Sequence, residues 1–430
     1  MIKSKRILAL GAIAALGLAT AACGSDDDAS STADTTAGSE APAGSEAPAG
    51  TEAPAGSEAP ADSGAPADGA SSFITLEQAC ESYDGLQAPE GFRANLVTDL
   101  GKVDDGTFNQ FAYEGLVAAV ECFGIENTSF IETVSEADYE ANIATSLGEN
   151  PNVLTTVGFL MTDATEAAAT ANPDIDFIGI DQFLAEYPDN MAGVVFNEDE
   201  SGYIAGVLAA SLSESGVIGV VGGREDVPPV VKFVNGYTAG AQSVNPDIRV
   251  LSIYNESFTE PAKGASDAAQ FIGEGADVIF GAGGPTGSGG VKAAAEAGVW
   301  AIGVDQDEYF TTFAGGSAPG AEFLASSAIK RVDLVTFELI ADAVQDTFEG
   351  GLVVGTAGNN LITYAEAHDA VLPPEAVEAV EAARVGLADG SVKTGICGQD
   401  GLLLGEGSAC DDATDGTAPA DSAPADTEAD

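Results

Sequence analysis

Positive charge is what this chain has least of: 14 lysines and arginines stand against 69 aspartates and glutamates, a formal net charge of −55. Nucleic acid is thereby disfavoured as a partner, because phosphate binding needs clustered cations and this field repels the backbone. Histidine is represented by His368 alone and no Cys-x-x-Cys pair exists, which argues against a metal site. Neither G-x-S-x-G nor H-E-x-x-H occurs, so no catalytic residues, and no cofactor, are expected. The apolar run from Ile7 to Leu18 carries Gly11 and Gly17 and falls short of the roughly 20 residues that span a bilayer.

What that run does have is its setting. Lys3, Lys5 and Arg6 precede it, Thr20, Ala21 and Ala22 follow, and then comes Cys23. A basic start, a short apolar run, small residues and a thiol form a lipoprotein signal, removed over 1–22 so that Cys23 is acylated and becomes the new N-terminus. The mature chain is then expected on the extracytoplasmic face of the cell membrane, held by lipid. Residues 23–75 are almost wholly Ala, Pro, Gly, Ser, Thr, Asp and Glu, with GSEAPA at Gly38 and near-copies at Gly44, Gly50 and Gly56. Such a composition buries no core and reads as a tether, with a mean reach of roughly 40 Å. Residues 411–430 read as a second, acidic tail. The remaining cysteines, Cys80, Cys122, Cys397 and Cys410, can pair in three ways; Cys80 with Cys122 and Cys397 with Cys410 is the pairing expected here, the second because its Gly-rich segment lacks apolar mass.

Residues 76–410 are long enough for two lobes. Strand-length apolar runs recur at Asn95–Val97, Val153–Val157, Phe177–Ile180, Gly193–Phe196, Val217–Val221, Val250–Tyr254, Val278–Phe280 and Val299–Val304, and Ala-rich helical stretches follow most of them. This alternation predicts an α/β fold of parallel sheets flanked by helices, which bind ligands at the carboxyl ends of their strands. Those positions are polar or Gly-rich. VTDLGKVDDGTFNQ puts Asp99 at a strand end, offers Asp105 or Thr107 as a helix cap, and sets Phe108 and Asn109 in the first turn. GAGGPTGSGG, Gly281–Gly290, fits neither a Walker loop nor G-x-G-x-x-G, and leaves a backbone loop that lets a ligand approach amides at a helix start. Asp305 closes the strand IGVDQDE, and Lys330 is expected to begin a long helix; a carboxylate beside an ammonium suits a vicinal diol. His368 is expected in a helical stretch with no partner, and Trp300 as packing.

Taken together, VTDLGKVDDGTFNQFAYEGL from Val97, VVFNEDESGYIAGVLAA from Val194, VVKFVNGYTAGAQSVNP from Val230, YNESFTEPAKGASDAA from Tyr254, GAGGPTGSGG, IGVDQDE and SSAIKRVD resemble the basic membrane protein family. These are the PnrA-like lipoproteins that serve ABC importers as solute receptors. The resemblance implies a type I periplasmic binding protein-like fold, hinge-linked, commonly monomeric, which takes a nucleoside, purine favoured, and engages a permease and ATPase complex. It implies that Phe108 and Phe258 sandwich the base, that Asp99, Asn109 and Asp163 meet its edge, and that Asp305 and Lys330 clamp the ribose with Gly284 near the sugar. Other roles for the same pocket are a sensor domain for a signalling partner, a receptor for riboflavin or a sugar derivative, and a nucleoside hydrolase.

Overall fold

The computed structural model describes residues 73–405 and 407–411; the signal, Cys23, the tether to residue 72 and the tail beyond Asp411 lie outside the described residues. After a short helix, α1 (Leu76–Glu81), the chain runs β1 (Arg93–Leu100), α2 (Phe108–Phe123), β2 (Asn127–Thr133), α3 (Tyr139–Leu147), β3 (Val153–Val157), α4 (Thr162–Ala171), β4 (Asp176–Ile180) and β5 (Met191–Phe196). The same succession then repeats as α5 (Glu198–Leu212), β6 (Val217–Gly222), α6 (Pro228–Val244), β7 (Arg249–Tyr254), α7 (Pro261–Gly273), β8 (Val278–Ala282), α8 (Gly284–Glu296), β9 (Trp300–Asp305) and β10 (Leu324–Lys330). It ends with α9 (Val332–Val344), β11 (Gly351–Gly355), β12 (Ile362–Tyr364) and α10 (Pro374–Ala388).

Two six-stranded sheets result, ordered β2-β1-β3-β4-β5-β11 and β7-β6-β8-β9-β10-β12, with β12 antiparallel and the other pairings parallel. The central strands are buried along nearly their whole length, as a sheet covered by helices on both faces requires. Because β11 returns to the first sheet and β12 to the second, the chain crosses between lobes at Asn197, at Arg331 and over residues 356–361. Backbone bonds tie these crossings together: Asn197 N–H donates to Gly355 O at 2.8 Å and Arg331 N–H to Leu361 O at 2.8 Å.

The α5–α6 pair packs backbone to backbone. A Cβ on Gly206 would lie 2.0 Å from Tyr237 O, and one on Gly240 would lie 2.0 Å from Tyr203 O, so only glycine permits this approach. Cys80–Cys122 ties α1 to α2 with a Cα separation of 5.9 Å, and Cys397–Cys410 closes the C-terminal loop with one of 5.7 Å. The described residues extend past the expected 76–410 at both ends. Phe73 packs its ring 4.2 Å from the Arg331 guanidinium, Thr75 caps α1, and Asp411 accepts from the amides of Gly405, Gly407 and Ser408.

Candidate functional site

The carboxyl ends of both sheets face one cavity, about 600 Å³ with its open mouth included. From the first lobe it is lined by Asp99, Asp105, Phe108, Asn109, Phe159 and Asp181; the second lobe contributes, among others, Val230, Phe233, Phe258, Gly284, Asp305 and Lys330. Strands that stop at one sheet edge necessarily bring their terminal residues together, which is why positions far apart in sequence share a cavity.

Local chemistry fixes the first lobe's wall. Asp105 caps α2: its carboxylate accepts from the amides of Thr107 and Gln110 at 3.0 Å each and from Asn109 N–H at 3.2 Å. Asn109 is buried, its Oδ1 accepting from Asp99 N–H at 3.1 Å and its Nδ2 donating to Asp105 at 3.0 Å, so its amide is spent holding the β1–α2 turn. This capping leaves Phe108 at the helix mouth, facing the cavity. Across the cleft, the loop carrying Phe258 is fastened to α8, with Thr286 N–H donating to Phe258 O at 2.9 Å and Thr286 Oγ1 to Ser257 O at 2.9 Å. The ring lies against Gly223, where a Cβ would come within 2.3 Å of it.

A buried chain of alternating charge crosses the lobes. Lys330 Nζ donates to Asp181 Oδ2 at 2.6 Å and to Glu198 Oε1 at 3.2 Å, while Glu198 also pairs with Lys232. Lys330 additionally stands 4.5 Å from the centroid of the Phe108 ring. Burial alone would lower the Lys330 pKa, but Asp181, Glu198 and Asp305 outweigh it and hold the ammonium charged. Burial pushes Asp181 up to about 6 against the pull of Lys330, and Asp305 up to about 7 against the same ammonium. Glu198 is also penalised by burial, yet Lys232 and Lys330 bring it below its ordinary value. The Asp305 carboxylate accepts no hydrogen bond among the described residues, and its backbone φ of 66° is the left-handed conformation that costs a non-glycine residue energy. An unpartnered, strained acidic group at a cavity wall is poised for a donor supplied from outside.

Of the residues expected at the site, Asp99, Phe108, Asn109, Phe258, Gly284, Asp305 and Lys330 line this cavity, and Asp163 does not. Asp163 lies in the first turn of α4, whose buried face carries Thr165 and Ala169; it points the opposite way and is exposed. Lys330 ends β10 and does not begin a helix. His368 is in an irregular segment, accompanied: its Nε2 is 2.7 Å from Asp307 Oδ2, and its ring stacks on Tyr309 at 4.1 Å. Trp300 opens β9 and packs edge-on against Phe323. Sequence reasoning passed over Asp181 and Phe159. The signal for Asp181 was a repeat: IGIDQ, Ile178–Gln182, restates IGVDQ, Ile302–Gln306, at the end of the equivalent strand, and Asp181 has the same left-handed backbone, φ 59°.

The model for PnrA-like ABC transporter substrate-binding proteins matches residues 93–356. This chain belongs to that family. Among its relatives, the ABC transporter nucleoside-binding protein BmpA of Lactococcus lactis is 34% identical over 308 residues, 66% of this chain and 85% of that protein. A CD4+ T-cell-stimulating antigen of Listeria monocytogenes is 28% identical over 320 residues, 71% of this chain and 89% of the antigen. Among solved structures, an ABC transporter solute-binding protein from Aeropyrum pernix K1 shares the fold with a TM-score of 0.61 at 24% identity, covering 70% of this chain and 92% of that one. The PnrA-like chain is thus a substrate-binding protein of an ABC transporter, a class that works outside the cytoplasm with a permease and an ATPase. No helix among its described residues is long and apolar enough to cross a membrane.

Proposed function

We propose that this PnrA-like protein is a lipid-anchored receptor that closes its lobes on a nucleoside, purine favoured, and presents it to an ABC importer. One observation carries the reading: a single cavity receives an aromatic ring from each lobe, Phe108 and Phe258, together with the unpartnered Asp305 carboxylate and the Lys330 ammonium. Two rings suit a flat base, at about 0.5–1.5 kcal/mol per aromatic contact beyond burial. The carboxylate and ammonium suit a ribose diol, which both donates and accepts. Since the rings come from opposite lobes, ligand binding and closure are one equilibrium, shifted by the ligand's preference for the closed form. Four aspartates around the cavity, Asp99, Asp105, Asp181 and Asp305, disfavour a phosphate, so nucleosides are preferred to nucleotides. Acylated Cys23 provides the anchor and the 23–72 segment the reach. No role in bond breaking is assigned to any residue.

Thermal-shift screening of the folded domain against nucleosides, free bases, riboflavin and pentoses tests the reading. Inosine, guanosine or adenosine should raise the melting temperature well above the shift given by bases or pentoses alone. A response to riboflavin or a sugar with none to any nucleoside would overturn the ligand assignment. Lipid attachment is checked by mass spectrometry of the membrane-extracted protein, with Cys23→Ala expected to release it.

A further inference from the structure

Among the carboxylates at the cavity, Asp99 is set apart by a phenol. The Tyr139 hydroxyl, at the start of α3, donates to Asp99 Oδ1, and Leu100 N–H donates to the same oxygen at 2.7 Å. Oδ2 receives no donor among the described residues. It lies over Gly158, where φ is 111° and a Cβ would come within 2.0 Å of that oxygen, so no other side chain fits between them. Tyr139 itself is buried and does not line the cavity. Whatever it does for the ligand, it does through Asp99.

With both protein donors gathered on Oδ1, the ionisation of Asp99 sets the sign of the bond that Oδ2 makes. Ionised, Oδ2 accepts; protonated, it donates. A 6-oxopurine offers an N1–H donor, whereas a 6-aminopurine has a bare N1 acceptor at that place. We infer that Tyr139 is a positioning residue that keeps Asp99 an acceptor toward the cavity, and that the site thereby selects 6-oxopurine nucleosides over 6-aminopurine ones. The inference rests on the nucleoside reading and adds the class of base.

The electrostatics around the pair are consistent with this. Burial raises Asp99 to about 6, the bonds from Tyr139 and Leu100 oppose the rise, and the charges of Asp181 and Glu136 add to it. Burial, Asp99 and Glu136 raise the Tyr139 phenol, with Arg224 of the second lobe acting the other way, so the phenol stays a protonated donor. Asp105 faces the pair only through Asn109. Without the phenol, Asp99 would keep its proton to higher pH.

The test is calorimetric titration of wild type, Tyr139→Phe and Asp99→Asn with inosine and with adenosine, from about pH 5 to about pH 8. Wild type should prefer inosine at neutral pH and lose that preference as pH falls through about 6. Tyr139→Phe should move the midpoint up by roughly one pH unit or more, and narrow the preference near pH 7 by about tenfold. Asp99→Asn should remove the pH dependence of the preference, a readout that survives if Tyr139→Phe folds poorly. An unchanged midpoint in Tyr139→Phe, or a preference in wild type that ignores pH, overturns the inference while leaving nucleoside binding standing. Wild type that binds neither compound overturns the nucleoside reading and this inference with it.

Discussion

The same five-residue pattern, IG-I/V-DQ, ends β4 in one lobe and β9 in the other, and the two copies have been put to different uses. Asp181 is committed, its Oδ2 held by Lys330 at 2.6 Å across the lobe boundary; Asp305 has no hydrogen-bond donor among the described residues. Gln182 turns inward, its Nε2 donating to Thr156 Oγ1 at 3.2 Å and to Gly158 O at 3.2 Å. Gln306 reaches outward instead, donating to Thr107 O of the opposite lobe at 3.0 Å. The β4 copy is therefore already engaged, Asp181 by a cation of the facing lobe and Gln182 within its own lobe, whereas the β9 copy leaves Asp305 open to a donor that a ligand can supply.

The comparison breaks most severely at the cation both lobes share. Lys330→Met should cost about 3–5 kcal/mol in chemical denaturation, because Asp181 and part of the Glu198 charge are left buried without compensation. Swapping each aspartate for its amide separates the two copies. Asp181→Asn should cost about 1–3 kcal/mol of stability, while Asp305→Asn should cause no loss of stability at neutral pH and weaken nucleoside affinity tenfold or more, about 1.4 kcal/mol. Equal effects in both assays would abolish the distinction.

Acid dependence sharpens the same contrast. Asp305 is raised to about 7 when folded, so on raising the pH from the ordinary carboxylate range toward 7 the unfolded chain ionises there before the folded one does. The unfolded state then binds fewer protons, and this group's contribution to stability falls as pH rises, levelling off above about 7. Relative to wild type, the melting temperature of Asp305→Asn should climb from about pH 4 to about pH 7 and then run parallel. A constant offset would show that Asp305 is not raised by burial. The smallest effect is expected at the glutamines: Gln306→Ala should weaken ligand affinity by about 0.5–1.5 kcal/mol with little change in stability, and Gln182→Ala the reverse.

Much of the fold was legible because strands buried on both faces leave apolar runs: Val278–Phe280 is such a run and lies inside β8. Strand β2 was not, since it lies at the sheet edge and alternates half-buried with exposed residues. Nor was β10, LASSAIK, whose polar centre is satisfied in place: Ser326 Oγ donates to Ala365 O at 2.7 Å and Ser327 Oγ accepts from Glu308 N–H at 3.1 Å. Hydroxyls paired inside a sheet look like a loop when only the chain is read. At the site, strand-end logic pointed to Asp99, Phe108 and Asp305 and the family resemblance to Phe258, and all four line the cavity, because loops that follow strands have one place to go. It failed at Asp163, where a three-residue 3-10 turn, Phe159–Met161, resets the helix phase and brings Phe159 to the cavity instead.

The most direct measurement is a crystal structure of the protein grown with inosine. The account predicts the base between the rings of Phe108 and Phe258, with ribose hydroxyls within hydrogen-bonding distance of Asp305 and Lys330. Inosine held by one lobe alone, or a cleft that stays empty at saturating inosine, would contradict it.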